Sequence, residues 1–177
     1  MSKQMQTPCK ELVLDKILEK PTTFMKLVSE CQCATETVEK YLSIYIEKNS
    51  IKQKKGKFRV LYSPELDEEI VEFYEILLNP TTKAILLVLL KSNLALSQIE
   101  LVATIEKSNP SISRGLKILL EKRMIKRNYH APFNTYQIFN KITLFEMLEK
   151  TYPKIATNFE QFDLCYPKPK IFLDVYQ

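Results

Sequence analysis

Seven basic or polar side chains stand close together in the second half of the sequence, where they could bind a polyanion. Four fall on one face of a predicted helix over residues 110–122, and three follow in the next predicted strand. They are Ser111, Ser113, Arg114 and Lys117, then Lys126, Arg127 and Asn128. A guanidinium donates two parallel hydrogen bonds to a guanine edge or a phosphate, and an ammonium group pairs with a phosphate oxygen. This set predicts contact with double-stranded DNA.

An apolar stripe on the opposite side of the same helix would hold it against a core. The stripe consists of Ile112, Leu116, Leu119 and Leu120, at the three-to-four spacing of a buried helical face. Residues 124–129 then alternate apolar with basic side chains, HAPFN has turn chemistry, and residues 135–139 are predicted to return as a strand. Ordinary surface helices also carry outward bases, so the pattern alone does not separate a DNA-binding helix from a solvated one.

The sequence through this helix and strand resembles a known type of DNA-binding unit. Residues 113–117, 119–122 and Ile125 are similar to the recognition helix and first wing strand of winged helix-turn-helix regulators related to the MarR and ArsR families. Leu96-Ser97-Gln98-Ile99 with Leu101-Val102 looks like their second helix. The resemblance covers residues 81–140 and departs from the family at the wing tip, where HAPFN replaces the usual Gly- or Asp-rich turn. The resemblance implies a mainly α fold with small β-hairpin wings. It also implies a transcriptional regulator from a prokaryote, either a bacterium or an archaeon.

The same pattern occurs twice in the chain. Shifting the sequence by 74 residues superposes the stripe of residues 38–51 on that of residues 112–125. The matched pairs are Val38 and Ile112, Leu42 and Leu116, Tyr45 and Leu119, Ile46 and Leu120, and Ile51 and Ile125. Upstream, a shift of 72 places residues 12–18 on 84–90 and Leu27 on Ile99, so the second copy has gained two residues around its turn. A repeated buried stripe predicts two tandem units of one architecture.

The first copy is predicted to bind mainly through its hairpin. Its helices are expected over 10–20, 23–30 and 35–48, and Gly56 stands at the hairpin tip. The bases around that glycine are Lys52, Lys54, Lys55, Lys57 and Arg59. The third helix offers only Thr37 and Lys40 to DNA, and Glu36 and Glu39 beside them repel phosphates. The corresponding helix of the second copy is therefore the better candidate for reading bases.

Two further amphipathic helices are predicted outside the repeats. One begins at Ser63-Pro64-Glu65, carries six acidic residues, and has the stripe Leu66, Ile70, Phe73 and Leu77. The other has the stripe Ile142, Phe145, Leu148 and Tyr152. The predicted division is a first unit over 1–63, a connecting helix over 64–80, a second unit over 81–140, and a C-terminal helix and tail over 141–177. The stripes of 64–78 and 141–152, and the tail from Pro167, need a partner, either within the chain or in a homodimer.

Composition and charge favour a DNA-binding protein over an enzyme or a membrane protein. The 177 residues carry a net charge of +5, and the acidic segment 63–80 separates two basic blocks. The longest apolar run, residues 84–90, is far shorter than the ~20 residues that span a bilayer. With two glycines in all, the chain has no phosphate-binding loop. No nucleophile and base are signalled around the single histidine, His130, so we expect no catalytic activity and no cofactor.

The cysteines predict a reducing compartment. Cys9, Cys31, Cys33 and Cys165 show no disulfide spacing, and Cys31 and Cys33 are too close in sequence for an ordinary bridge. We therefore expect reduced thiols in a cytoplasmic protein. Buried free cysteines are favoured over a metal site at Cys31 and Cys33, because no further ligand follows at zinc-like spacing.

Three hypotheses follow from the sequence. The first is a sequence-specific double-stranded DNA-binding transcriptional regulator with tandem winged helices. The second is a protein-docking module of a transcription or chromatin complex, which the acidic Glu36, Glu39 and the acidic connecting helix favour. The third is a ligand or redox sensor that uses the cysteines. Basic residues on the helix over 110–122 favour the first.

Overall fold

The computed structural model describes residues 9–92, 94–130 and 132–153, apart from the side chain of His130. Within them the chain forms eight helices and six short strands. The predicted fold class, mainly α with small β-hairpins, is confirmed. Cys165 and the tail from Pro167 lie outside the described residues.

The first unit consists of three helices and a small antiparallel sheet. Its elements are α1 (Cys9–Glu19), β1 (Thr22–Thr23), α2 (Phe24–Cys31), α3 (Thr35–Glu47), β2 (Lys52–Lys55) and β3 (Arg59–Tyr62). β3 is the central strand and pairs with β1 on one side and β2 on the other. Each helix begins and ends within one residue of its predicted bounds.

The second unit repeats this order of elements. The connecting helix α4 (Glu68–Leu77) is followed by α5 (Pro80–Lys91), β4 (Leu96–Ser97), α6 (Gln98–Ile105), α7 (Asn109–Glu121), β5 (Ile125–His130), β6 (Phe133–Ile138) and α8 (Lys141–Thr151). Here β6 is central, between β4 and β5. The two sheets therefore share one topology.

The repeat extends to the backbone conformation of individual residues. In the part of the chain that the structure describes, four non-glycine residues have a positive φ: Gln32, Asn49, Glu106 and Arg123. They form two pairs 74 residues apart. Gln32 and Glu106 end α2 and α6, and Asn49 and Arg123 end the turns after α3 and α7. The same shift that aligns the apolar stripes thus aligns the turns.

The structure corrects the place of the two additional residues in the second unit. Leu27 and Leu101 are both fully buried and stand 74 residues apart, whereas Ile99 is 65% exposed. Leu27 therefore corresponds to Leu101 and not to Ile99. The extra residues lie between α5 and β4, where residues 92–95 replace residues 20 and 21 of the first unit. Sequence alignment misplaced them because α6 is short and apolar residues at 99 and 101 fit its pattern equally well.

The connecting helix begins later than its sequence signal predicted. Ser63 and Pro64 belong to a turn in which the Leu66 amide donates to the Ser63 carbonyl at 3.1 Å, and α4 begins at Glu68. The hydroxyl, proline and carboxylate of a helix start also suit a β-turn, so the pattern fits both.

Two other predictions are wrong at the level of single residues. HAPFN was predicted as a turn, but Phe133 and Asn134 already belong to β6 and pair with His130 and Tyr129. In α8 the stripe includes Leu144 and Leu148, while Ile142 is 58% exposed. Asn140 caps α8 by accepting from the Ile142 amide at 3.0 Å, which places Ile142 in the solvated first turn.

Among the described residues the core consists of three apolar clusters, and α4 contributes to two of them. The first unit has its own cluster around Leu27, Leu42 and Leu61. The second unit's cluster also contains Phe73 and Leu77 of α4, with Leu144 and Leu148 of α8. A third cluster joins Val60 and Tyr62 of β3 to Val71 and Tyr74 of α4. α4 therefore links the two units through two neighbouring faces of one helix.

The cysteine prediction is wrong for one pair. Cys9 and Cys33 form a disulfide with a Cα–Cα distance of 6.5 Å, while Cys31 is free and buried, as expected. The spacing argument compared neighbours in sequence, and this pair is brought together by the packing of α1 against the turn before α3.

No single helix among the described residues is long and apolar enough to cross a membrane. α4 and α5 satisfy the length and apolarity criteria only as a pair, and that pair is bent by 101°.

Candidate nucleic-acid interface

The outer face of α7 presents most of the polar residues predicted there. Ser113, Arg114 and Lys117 are exposed, and Ser111 is half-buried with its hydroxyl 2.9 Å from that of Ser108. The opposite side of α7 carries Ile112, Leu116 and Leu119, which are buried as predicted. Packing thus fixes which face α7 shows to solvent.

The cations on this face are only weakly engaged. Arg114 donates from Nε to the Pro110 carbonyl oxygen at 3.2 Å, and among the described residues no carboxylate pairs with it. Lys117 lies 3.9 Å from Glu121, with both side chains well exposed. An exposed pair four residues apart is worth about 0.3–0.5 kcal/mol, so a phosphate or a base edge displaces it at little cost.

A glycine lets α7 pack closely on the helix behind it. Gly115 is buried, and a β-carbon there would lie 2.7 Å from Cδ1 of Ile85 in α5. The equivalent residue of the first unit is Tyr41. Close contact with α5 at Gly115 seats α7 firmly on the core, so its outer face is held by a rigid support.

The second hairpin has one face on the core and one open to solvent. Ile125 pairs with Ile138, and Arg127 with Tyr136; Ile125, Tyr136 and Ile138 are buried in the core. Lys126 is exposed and Asn128 half-buried, and both lie on the other face because side chains alternate along a strand. Lys126 and Arg127 are therefore on opposite faces of the outermost strand, where both are exposed.

Three exposed residues beside this set were missed by sequence reasoning. Tyr129 and Phe133 are 75% and 55% exposed near the hairpin tip, and Arg123 is exposed in the turn that leads from α7 into β5. Phe133 was assigned to the turn, and Arg123, between the predicted helix over 110–122 and the predicted strand from 124, was given no role. Exposed aromatic rings next to bases are a feature of nucleic-acid-binding surfaces. Alternation along β5 could not have identified Tyr129 as exposed, because it places Tyr129 on the same face as the buried Ile125.

The first hairpin is covered on both faces. Leu61 faces the first unit's own helices, while Val60 and Tyr62, its neighbours on β3, face α4. Their counterparts in the second hairpin, by sheet register, are Thr135 and Gln137, which stay half-buried at the surface. The two predicted wings therefore differ: the first lies between its own helices and α4, and the second has a free outer face.

Lys54 of the first hairpin already has a carboxylate partner. Its Nζ lies 2.8 Å from Glu75 of α4, and hydrogen bonding to Glu75 raises the pKa of Lys54. Gly56 at the tip also lies against this carboxylate, since a β-carbon there would be 3.4 Å from it. The hairpin tip thus docks on the acidic connecting helix.

Arg59 is likewise engaged inside the chain. Its Nη1 donates to both carboxylate oxygens of Glu39 at 2.7 Å, its Nε donates to Gln53 at 3.0 Å, and its guanidinium lies 5.2 Å from the ring centroid of Phe24. A phosphate would have to compete with all three contacts. Arg59 holds β3 to α3, and Glu39, which the sequence marked as repelling DNA, is neutralised by it.

The other predicted residues of the first unit lie at the surface. Lys40, Lys52, Lys55 and Lys57 are exposed, and Thr37 is half-buried. Among the described residues no group of three or more His, Cys, Asp or Glu side chains could hold a metal ion. Loosely held cations thus lie mainly on α7 and the second hairpin. The first hairpin carries a smaller number of exposed lysines.

Comparisons with known proteins identify no family for this chain. No family model and no curated protein matches the sequence. Among solved structures, the DIP2311 protein from Corynebacterium diphtheriae is similar with a TM-score of 0.30 and 14% identity, over 73% of this chain and 26% of that one. This chain therefore spans about a quarter of that protein's length, and a likeness of this size supports no functional conclusion.

Proposed function

We propose that the protein is a sequence-specific double-stranded DNA-binding transcriptional regulator in which α7 and the second hairpin form the main reading surface. The observation that carries the proposal is the pairing of a rigidly seated helix with an open, basic hairpin on one unit. Arg114 and Lys117 face a major groove, while Lys126 and Arg127 hold phosphates on either side of the outermost strand. A role in transcriptional regulation is proposed from the resemblance to winged helix-turn-helix regulators.

The first unit has a supporting part in this proposal. Lys54 and Arg59 are removed from the predicted DNA contacts, because each is held by a carboxylate. Lys40, Lys52, Lys55 and Lys57 stay available for phosphates. The first unit thus adds sequence-independent affinity, and discrimination between sequences comes from α7.

The test is charge reversal on α7. Arg114→Glu with Lys117→Glu should raise the dissociation constant for a duplex selected from a random pool by at least about tenfold, because a good base contact contributes about 1–3 kcal/mol. Fluorescence anisotropy measures the affinity, and circular dichroism checks the fold. The matched control, Lys48→Glu with Lys150→Glu, makes the same charge change at exposed residues outside α7 and the second hairpin.

An equal loss of affinity in the test and control variants would show that binding depends on net charge alone. That result would contradict a DNA-reading surface on α7. Unchanged affinity in the α7 variant would overturn the proposal, as would failure of the random pool to enrich any sequence. The phosphate contacts have a separate signature. Lys126→Ala with Arg127→Ala should lower the slope of log affinity against log salt by about 2, since each neutralised phosphate contributes about 0.9.

One observation favours a second function for the first unit. A groove of about 540 Å³ follows the outer side of α3, lined by Phe24, Thr35, Glu36, Glu39, Lys40 and Ser43. This is the face that corresponds to the DNA-reading face of α7, yet it carries Glu36 and Glu39, and Arg59 offsets the charge of Glu39 only. A protein-docking role fits such a surface better than a DNA groove. DNA binding that persists after Lys40→Glu, together with loss of a protein partner, would support it.

A further inference from the structure

Two cysteines that are distant in sequence meet beside the turn of the first unit. Cys9 is the first residue of α1, and Cys33 lies in the turn between α2 and α3, 24 positions further along the chain. Their Cα atoms are 6.5 Å apart, inside the range that a disulfide spans, and the structure joins their sulfurs. The bond therefore needs no backbone rearrangement.

The reduced form of Cys33 also has a place in the structure. Its sulfur lies 3.3 Å from the carbonyl oxygen of Cys31, a distance at which a thiol donates a hydrogen bond. In the disulfide this sulfur has no hydrogen to donate, but once the bond is reduced a thiol at the same position can donate to that oxygen. The turn therefore offers the reduced Cys33 a hydrogen-bond acceptor without moving its sulfur.

The neighbouring Cys31 does not compete for the bond. It is 6% exposed, and burial raises the pKa of its thiol, which keeps it protonated and unreactive. Cys9 and Cys33 are half-buried and therefore reachable by a small oxidant. Accessibility and proximity together select one pair among the three described cysteines.

We propose that Cys9 and Cys33 form a reversible thiol–disulfide site that reacts with hydroperoxides. One thiolate attacks the peroxide oxygen and becomes a sulfenic acid, and a hydroxide leaves and is protonated to water. The second thiol attacks that sulfur and forms the disulfide, and a second water leaves. Two thiols and one hydrogen peroxide thus give one disulfide and two waters. A dithiol reverses the reaction by exchange and becomes a cyclic disulfide itself.

The bond would fasten α1 to the turn in front of α3. Tyr45 of α3 already donates to the Lys10 carbonyl oxygen in the first turn of α1 at 2.8 Å. The disulfide adds a covalent connection at the same end of α1. Oxidation is therefore expected to stabilise the first unit and to restrict the position of α3. This inference concerns the first unit and does not rest on DNA binding.

The experiment treats the reduced full-length protein with equimolar hydrogen peroxide and maps its peptides by mass spectrometry. The expected product has lost two hydrogen atoms per chain, contains a cross-link between the peptides of Cys9 and Cys33, and returns to the starting mass with dithiothreitol. Its unfolding temperature should rise by roughly 5–10 °C, because the bond constrains the unfolded chain.

Variants separate this pair from the other cysteines. Cys9→Ser and Cys33→Ser should each abolish the cross-link and the rise in unfolding temperature, whereas the matched controls Cys31→Ala and Cys165→Ser should keep both. A cross-link that survives Cys33→Ser would overturn the proposal. So would conversion of either thiol to sulfinic acid without a cross-link, or a bond formed only between two chains.

Discussion

Tyr74 places a hydroxyl in the interior without a geometrically sound partner. Its side chain is 1% exposed in the third cluster, stacked on Tyr152 with ring centroids 5.5 Å apart. Neither its OH nor the buried Oγ1 of Thr22 has a hydrogen-bond partner among the described residues. Burial has the larger effect and raises the pKa of Tyr74 well above its ordinary value of 10.0. The nearby Thr22 hydroxyl lowers the pKa of Tyr74 by a smaller amount.

This burial predicts a loss of stability at alkaline pH. The folded state favours the neutral phenol of Tyr74. The contribution of Tyr74 to the free energy of unfolding is therefore complete below about pH 10 and declines as the pH rises, because the phenol ionises first in the unfolded chain. Tyr74→Phe should keep the free energy of unfolding at pH 7 within about 1 kcal/mol of wild type, since it removes an unsatisfied hydroxyl. It should also reduce the alkaline loss. Urea unfolding at pH 7 and above pH 10 measures both, and a steeper alkaline loss in the variant would contradict the burial argument.

At the scale of elements, α2 and α6 end in a conformation that usually belongs to glycine. Gln32 and Glu106, their C-terminal caps, have φ of 52° and 55°. A side chain with a β-carbon is disfavoured in this left-handed region, and glycine is the common residue there. The chain has two glycines, and neither has a positive φ. The repeat thus keeps the same conformation at both helix ends without the residue that suits it best.

Replacing one cap tests this reasoning. Glu106→Gly should raise the free energy of unfolding by about 0.5–1 kcal/mol. Glycine removes the steric penalty of the left-handed conformation, and this gain exceeds the cost of the greater conformational entropy that glycine gives the unfolded chain. Glu106→Ala is the matched control and should bring no gain, because alanine keeps the β-carbon. Chemical denaturation of both variants provides the comparison. Equal effects of glycine and alanine would show that loss of the Glu106 side chain, and not its backbone conformation, sets the stability.

Across the whole molecule, α4 and α8 bury the stripes that the sequence offered for dimerisation. Phe73 and Leu77 pack with Leu144 and Leu148 in one cluster, and Tyr74 stacks on Tyr152 at the edge of another. A homodimer through these stripes would need them exposed. Two ion pairs on the same helix, Glu75 with Lys54 and Glu72 with Lys122, bind both units to α4. Hydrogen bonding to Lys122 also lowers the pKa of Glu72.

This arrangement predicts a single chain in solution. Sedimentation equilibrium without DNA should give the mass of one chain, 20.8 kDa. The physical reason is that most of both stripes already packs on apolar partners inside the chain, so a second copy would bury little further stripe area beyond the exposed Ile142. A mass of two chains would show that another surface, such as the tail from Pro167, pairs between copies. Repeating the measurement with residues 154–177 removed would then identify that surface.

Much of the fold could be predicted because local rules dominate it. Helix bounds in the first unit came from periodicity and capping, and the buried face of α7 from the spacing of Ile112, Leu116 and Leu119. Turn chemistry was less reliable, since Ser63-Pro64 and HAPFN suit more than one conformation. Of the candidate site, Arg114 and Lys117 were predictable from helical geometry. The engagement of Lys54 and Arg59 was not, because their partners lie 21 and 20 residues away on other elements.

By itself the sequence determined that the chain contains one architecture twice, since the 74-residue repeat of apolar positions is a local property that needs no knowledge of packing. Only the tertiary structure decided how the copies differ. α4 lies against the first hairpin and leaves the second open, Glu39 and Glu75 neutralise two of the predicted DNA contacts, and Cys9 meets Cys33. Each depends on contacts between distant elements, whose pairing follows from how the apolar faces of the whole chain are buried together. Residue types along the chain show which groups can bind a phosphate, and packing decides which of them are free to do so.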